Sequence, residues 1–467
     1  MSTVRLPSDF LSAMQRLLPT GQYADFCAEM ERPAQAFIRL NGRKTDAVPI
    51  GEEIPWCRDG YALPERPDFT FDPLLHAGAY YVQEQSSMFL AHVLRQLVSE
   101  PVLMLDLCAA PGGKSTLARA VLPEGSILLA NEPVRNRAQV LAENIAKWGH
   151  PDVIVTNNLP ADYQHSPILA DILLLDVPCS GEGMFRKDPE NIGEWSLQKV
   201  QQCQQLQRQI AEQAWNCLKE GGLLIYSTCT FNTAENEENV RWICQQLGAE
   251  TVDVPIPPDW HIGGSLLPGF DGPVFRFIPG VTCGSLPQGE GLFMAVMRKM
   301  SAASGSRNPR QQPLKTQRCA PEVRQMLCNP DEFLFLRQGD SITAVPEHLI
   351  NIYAHAQRQF RLLHAGIPLC TAKGRDFVPQ QALALSTECS PKAFPCVELP
   401  WETAVNYLRR EAVTLPADTP KGICLVSYQG LPLGFVKHLG NRSNNLYPTE
   451  WRIRSTHLPP VPPAVIK

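Results

Sequence analysis

Val102-Leu-Met-Leu-Asp-Leu-Cys-Ala-Ala-Pro-Gly-Gly-Lys-Ser-Thr116 decides how the rest of the chain is read. A short apolar run ends at Asp106, breaks at Pro111-Gly112-Gly113 and resumes with helix formers through Ala120. A buried strand, a glycine turn and a helix start in that order make the local geometry that holds an anionic or nucleotide-like ligand. Gly112-Gly113-Lys114-Ser115 invites comparison with a phosphate-binding loop, but that pattern needs glycine where Cys108 stands, and Pro111 removes a backbone donor. The turn therefore points to a nucleoside cofactor rather than to a nucleoside triphosphate. Glu132, closing the next apolar run, is placed to accept ribose hydroxyls.

Outward from this turn, apolar runs recur at 102–107, 126–130, 153–155, 171–176, 222–227 and 292–297, the early ones separated by helical patterns. A longer helical pattern runs from Trp195 to Leu218. This alternation predicts a parallel sheet covered on both faces, with ligands at the carboxyl ends of its strands. The polar residues after the strands collect on that edge: Asp106 and Cys108, Asn131 and Glu132, Asn157 and Asn158, Asp176 and Cys179, and Ser227 to Thr230. Tyr80 to Leu94 reads as a helix with Met88, Ala91 and Leu94 on its core face. The polar run Gln83 to Ser87 at its entrance faces either a ligand or solvent.

The two cysteine loops carry the sharper signal. Asp176-Val-Pro-Cys179-Ser-Gly-Glu-Gly183 follows the fourth strand and Tyr226-Ser-Thr-Cys229-Thr-Phe231 the fifth. Each thiol sits in a small polar loop at the functional edge rather than inside an apolar run. A thiolate placed there is a nucleophile if nearby donors or a helix start lower its pKa.

The other thirteen of the fifteen cysteines are scattered, never as Cys-x-x-Cys, and give no metal site. At 467 residues with 44% hydrophobic content the chain holds ~2–4 domains with full cores. No apolar stretch approaches the ~18 residues of a membrane span. The start, Met1-Ser-Thr-Val-Arg5, has no apolar signal core, so a cytoplasmic protein is expected. The net charge of −5 is uneven: residues 301–467 carry 19 Lys/Arg against 12 Asp/Glu, so the front of the chain is acidic and the back basic. That asymmetry fits a polyanionic partner held by the C-terminal part.

Ahead of the turn, Asp9 to Leu18 is helical in pattern and is ended by Pro19 and Gly21; Ala36 to Leu40 reads as a strand. Residues 1–75 thus form a small α/β domain, and 76–300 the sheet domain. A Ser/Pro/Arg-rich linker near 300–315 leads into a first C-terminal region, 301–385. A small β-rich module follows at 386–467, with Gly422–Tyr428 and Leu433–Lys437 as a hairpin about Gln429-Gly430.

Taken in order, Asp106 to Lys114, Asp176 to Gly183, Met184-Phe-Arg-Lys-Asp-Pro189 and Tyr226 to Thr230 resemble the successive motifs of the NOL1/NOP2/Sun RNA cytosine-5 methyltransferases. The Met184–Pro189 extension and the C-terminal region are similar to the RsmF (YebU-like) branch, which acts on small-subunit ribosomal RNA. The resemblance implies a Rossmann-like class I methyltransferase domain with a PUA-like RNA-binding module behind it. It also implies S-adenosylmethionine as methyl donor, RNA as partner and a monomer needing neither metal nor membrane.

By the same resemblance Cys108, Ala109, Ala110, Pro111, Gly112, Gly113 and Lys114 wrap the methionine end of the cofactor. Glu132 holds the ribose with Arg137 beside it, Asn157 and Asn158 stand where the family has an acid near the adenine, and Asp176 lies between cofactor and base. Cys229 matches the nucleophile that adds to C6 of cytosine, and Cys179 the residue that releases the product. DNA cytosine methyltransferases place the nucleophile in a Pro-Cys loop, which here is Cys179. Arg186 and Lys187 are expected at RNA phosphates, as are Lys437, His438, Arg442, Arg452 and Arg454. Two other functions fit the same motifs: an RNA-binding assembly factor on a retained methyltransferase fold, or an enzyme acting on transfer RNA.

Overall fold

The structure is a computed structural model that describes residues 6–300, 319–374 and 376–466. The expected linker at 300–315 falls almost wholly outside the described residues.

A nine-stranded sheet forms the centre, with eight strands running in the order Ala249–Thr251, Leu292–Lys299, Leu218–Thr228, Ala170–Asp176, Leu103–Asp106, Ile127–Asn131, Val153–Thr156 and Leu362–Ala365. The ninth, Phe275–Phe277, pairs with Leu292–Lys299 off this path. The five middle strands are parallel, as their alternation with helices requires. Leu292–Lys299 departs from the expected parallel sheet and runs antiparallel to Leu218–Thr228. No helical crossover lies between Thr251 and Leu292, so the chain re-enters the sheet from the opposite end. The apolar residues of the middle strands alternate between two cores, one on each face: Met104 and Leu128 on one side, Leu105 and Leu129 on the other.

The N-terminal part is built from helices Ser8–Leu17 and Thr20–Met30 and a four-stranded sheet. The second helix was not expected; Pro19 precedes it in extended conformation rather than ending structure, and Gly21 stands in open space within its first turn. Tyr80–Val82, expected as helix, is a strand paired with Phe37–Leu40, and the helix begins only at Phe89. The small sheet needs an edge strand there, and the aromatic and β-branched residues Tyr80-Tyr81-Val82 suit it.

Later in the chain, residues 333–379 contribute a second four-stranded antiparallel sheet, and residues 396–445 a four-stranded mixed sheet that contains the expected hairpin, with Cys396–Glu398 parallel to Gly422–Tyr428. Gln429 and Gly430 both take positive φ at its turn. These C-terminal elements share cores with the front of the chain. Phe71 and Ala77 pack among Val405, Tyr407 and Leu433, and Val465 and Ile466 among Ile38 and Tyr80. Among the described residues, no helix is long and apolar enough to cross a membrane.

Candidate functional site

The turn after Leu103–Asp106 is sewn into the sheet. Leu107 N–H donates to Leu174 O at 3.1 Å and Ala109 N–H to Asn131 O at 2.8 Å. Gly112 has φ +111°, and a Cβ there would press on Leu141 at 3.2 Å, so glycine is required. Helix Gly113–Val121 starts at once, and Ser115 Oγ returns to donate to Asp106 Oδ2 at 2.6 Å. The other oxygen of Asp106 is buried and has no partner. Burial pushes the Asp106 carboxyl up to about 7, against the pull of the Ser115 bond. Cys108 is buried and its thiol is driven far above the usual range by burial, so it serves the turn by its backbone and small volume.

A cavity of about 630 Å³ opens over this turn, within the range of small-molecule sites. Glu132 lines it from the end of the neighbouring strand, 1% exposed. One of its oxygens accepts Val134 N–H at 3.0 Å; the other lies 3.8 Å from Arg137. Arg137 also donates to Ala110 O at 2.9 Å, so it braces the turn from outside.

Asp176, Lys114 and the two cysteines line the same cavity. Lys114 Nζ meets Asp176 Oδ1 at 2.9 Å. Burial works against the charge on Lys114, but the Asp176 carboxylate outweighs it and the ammonium pKa is net raised. Cys179 Sγ and Cys229 Sγ lie 3.1 Å apart, both half-buried at the cavity. The contact with Cys229, followed by burial, holds the Cys179 thiol well above its ordinary pKa. Either sulfur can be the donor in this contact.

Asn157 and Asn158 are not at the cavity, contrary to expectation. Asn157 Nδ2 donates to the carbonyls of Glu132 and Pro133 at 2.8 and 2.9 Å, and Asn158 Nδ2 to Asp162 at 3.0 Å. Their backbone edge meets Arg361, just before the Leu362–Ala365 strand that closes this side of the sheet. Arg186 is also removed from the expected RNA surface. It is 5% exposed and clamped between Glu29 at 2.7 Å and Glu290 at 2.6 Å, which ties the N-terminal helices to the loop before Leu292. Lys187 does reach the cavity. His438 is buried against Ser443, whereas Lys437, Arg442, Arg452 and Arg454 are exposed.

Gln83, Glu84 and Ser87 of the ambiguous polar run face the cavity, ordered by Arg39, which donates to Gln83 Oε1 at 2.9 Å and to Thr116 Oγ1 at 2.7 Å. Glu290 and Gly291 also line it and were missed by the motif reading. Gly289-Glu-Gly291 just ahead of an apolar strand was the available signal. At Gly291, φ is +120° and a Cβ would strike the Phe231 ring at 2.4 Å.

Comparison with known proteins agrees along the chain. Residues 6–85 match the family described as the N-terminal domain of 16S rRNA methyltransferase RsmF, residues 93–264 that of 16S rRNA methyltransferase RsmB/F, and residues 394–453 the methyltransferase RsmF PUA domain. Ribosomal RNA small subunit methyltransferase F of Cronobacter sakazakii is 31% identical over 96% of each chain. The protein of that description from Escherichia coli O157:H7 is 31% identical over 96% of this chain and 97% of its own. Among solved structures, NSun6 from Pyrococcus horikoshii has a TM-score of 0.52 at 20% identity, over 63% of this chain and 98% of its own. A methyltransferase homologue from the same organism has a TM-score of 0.51 at 23% identity, over 63% of this chain and all (100%) of its own. At these identities the two structures speak for the fold alone.

Proposed function

The chain belongs to the RsmB/F family of 16S rRNA methyltransferases, and from that premise we propose how its own residues carry the reaction. It is an S-adenosylmethionine-dependent RNA methyltransferase that modifies C5 of cytosine in ribosomal RNA. The observation that carries our assignment of roles is the pair of sulfurs 3.1 Å apart, facing the same cavity as the Lys114–Asp176 ion pair.

The residues of the turn suit the cofactor. The unpartnered, buried Asp106 oxygen is an acceptor waiting for a donor such as an amino-acid ammonium, and Glu132 offers a carboxylate to ribose hydroxyls. When bound, S-adenosylmethionine supplies an electrophilic methyl group on a sulfonium. Asp106 and Glu132 orient it, and Arg137 holds the turn shut beneath it.

The target base must leave its stack to reach the cavity. C5 of cytosine is a poor nucleophile, so the ring first has to gain electrons. Asp176 accepts from the exocyclic amine while Lys114, kept charged by Asp176, donates to the ring. Cys229 as thiolate forms a bond to C6, and the electron pair displaced to C5 would take the methyl group as its bond to the sulfonium sulfur breaks, leaving that sulfur as a neutral thioether. Cys179 then removes the C5 proton, the C6–S bond breaks and Cys229 departs as thiolate. The chief cause holding the Cys179 proton is its contact with Cys229. Once Cys229 is bonded to the base that cause is gone, so the Cys179 thiol loses its proton to solvent more readily when a base is needed.

We take the protein to act as a monomer, and a ribosomal RNA substrate supports a cytoplasmic setting. The test is direct. Purified protein with labelled cofactor and 16S rRNA is expected to deposit label as 5-methylcytosine, located by bisulfite sequencing; label absent from cytosine C5 would contradict the proposal.

Two further outcomes follow from this reading. Asp106 has a folded pKa of about 7 against 3.8 ordinarily, so the folded state binds the extra proton and stability falls as pH rises from about 4 to 7. The cost above pH 7 is on the order of 4 kcal/mol at ~1.4 kcal/mol per unit. Asp106→Asn is therefore expected to be more stable than the parent at pH 8 without cofactor and equal to it at pH 4, while binding cofactor less well. Equal urea midpoints at both pH values would refute the burial argument.

The exposed cations Lys437, Arg442, Arg452 and Arg454 are proposed as phosphate contacts. Removing the whole C-terminal module would expose the cores it shares with Phe71 and Ile38, so charge removal is the cleaner probe. Replacing all four by glutamine is expected to flatten the salt dependence of RNA binding by up to about 3 in logarithmic slope. An unchanged slope would take this surface out of the RNA path.

A further inference from the structure

The reaction needs two sulfurs at a set separation, yet they ride on two loops of small polar residues that do not specify a distance by themselves. We propose that Glu182 and Glu235 are positioning residues that lock the two cysteine loops together by reciprocal carboxylate bridges. The inference rests on the roles given above to Cys179 and Cys229 and adds what holds them in place.

Glu182 belongs to the Cys179 loop but bonds to the Cys229 loop. Its Oε2 accepts the backbone N–H of Phe231 at 2.6 Å and of Asn232 at 3.1 Å, and its Oε1 accepts Asn232 Nδ2 at 3.0 Å and Trp195 Nε1 at 3.1 Å. Glu235 follows the Cys229 loop but bonds to the Cys179 loop. Its Oε2 accepts Ser180 N–H at 3.0 Å and Gln207 Nε2 at 2.7 Å; its Oε1 accepts Ser180 Oγ at 2.5 Å and Asn232 Nδ2 at 2.9 Å. Asn232 thus donates to both carboxylates. Between the bridges, Gly183 N–H donates to Cys229 O at 2.8 Å, and a Cβ at residue 183 would sit 3.1 Å from that oxygen. The backbone N–H groups bridged by the carboxylates lie one to three residues from the sulfurs themselves.

Both carboxylates are buried, 2% and 0% exposed, and neither lines the cavity. Among the described residues neither has an ion-pair partner. Burying two carboxylates on neutral donors is costly, and stability alone is served as well by apolar side chains. What the bridges provide is direction and distance, fixed from both loops at once.

Cys229 can still attack if the loops drift apart, but release by Cys179 fails. Glu182→Gln and Glu235→Gln keep the volume and turn one acceptor into a donor that faces donors. We expect kcat to fall about 10- to 100-fold with KM for RNA within about 3-fold, since a displacement of ~1 Å costs that much. The fraction of enzyme trapped as covalent RNA adduct should rise, which a merely structural defect would not do. A second readout is independent of catalysis. Diamide, reduced to its hydrazine, takes two electrons and two protons from Cys179 and Cys229 and leaves a disulfide between them. Its rate of formation, followed by mass spectrometry of the joined peptides, should fall at least about 10-fold in both variants.

Parental cross-linking and adduct fractions in both folded variants would overturn the proposal. Should the glutamine variants not fold, Glu182→Asp and Glu235→Asp, with both acceptors on a shorter arm, are read by the same two measurements. Cys179→Ala serves as the control: absence of its adduct would overturn the cysteine roles, and the cross-linking rate then decides the positioning claim alone.

Discussion

Cys229→Ala is expected to reduce methyl transfer to ribosomal RNA by about 10⁴-fold or more, the scale seen when a covalent nucleophile is removed. No other thiol is placed to replace it. Cys108, also at the cavity, is buried and holds its proton far above the usual range, and burial keeps the Cys179 thiol raised even when its contact with Cys229 is lost. Cofactor affinity should stay within about 3-fold, because the turn, Asp106 and Glu132, which are proposed to hold the cofactor, are left in place. Residual turnover near the parental rate would mean that C6 is attacked by some other group.

Cys179→Ala is expected to give the opposite defect. The bond from Cys229 to C6 forms and the methyl group is transferred, but the C5 proton has no acceptor and the enzyme stays attached to its RNA. A denaturing gel should show one retarded protein band after incubation with cofactor and substrate. One methyl group should be incorporated per enzyme in a burst, with steady turnover reduced by about 10³-fold. The variant should also lose the cause that now holds a proton between the two sulfurs. Free turnover without an adduct would remove Cys179 from the release step.

Much of this site was legible because its parts are local in the chain. A strand, a turn requiring Gly112 and a helix start lie within fifteen residues, and periodicity with glycine chemistry reads such stretches well. The two cysteine loops were legible for the same reason, each following directly on its strand. What escaped notice depends on partners distant in sequence. Arg186 reads as a surface cation until Glu29, 157 residues away, and Glu290, 104 residues away, are found to neutralise it. Asn157 and Asn158 stand at a strand end that ordinarily faces a ligand. Here their amides are consumed by the carbonyls of Glu132 and Pro133 and by Asp162, and the edge is covered by Leu362–Ala365.

The same rule explains the local errors. Tyr80–Val82 continued a helical pattern on paper, but its backbone is claimed by Phe37–Leu40, some forty residues earlier. The Thr20–Met30 helix was hidden by Pro19 and Gly21, which read as a stop although proline also opens helices. Glu182 and Glu235 carry no sequence signal of their own, since a carboxylate that bonds across to another loop is recognised only when both loops are in place.

The central claim is that Cys229, not Cys179, bonds to the base. It is tested most directly by digesting the covalent complex that Cys179→Ala forms with ribosomal RNA and finding which peptide carries the pyrimidine. The account predicts a methylated cytosine attached through the sulfur of Cys229. A complex that forms only when Cys179 is present, with the pyrimidine on the peptide containing Cys179, would contradict it.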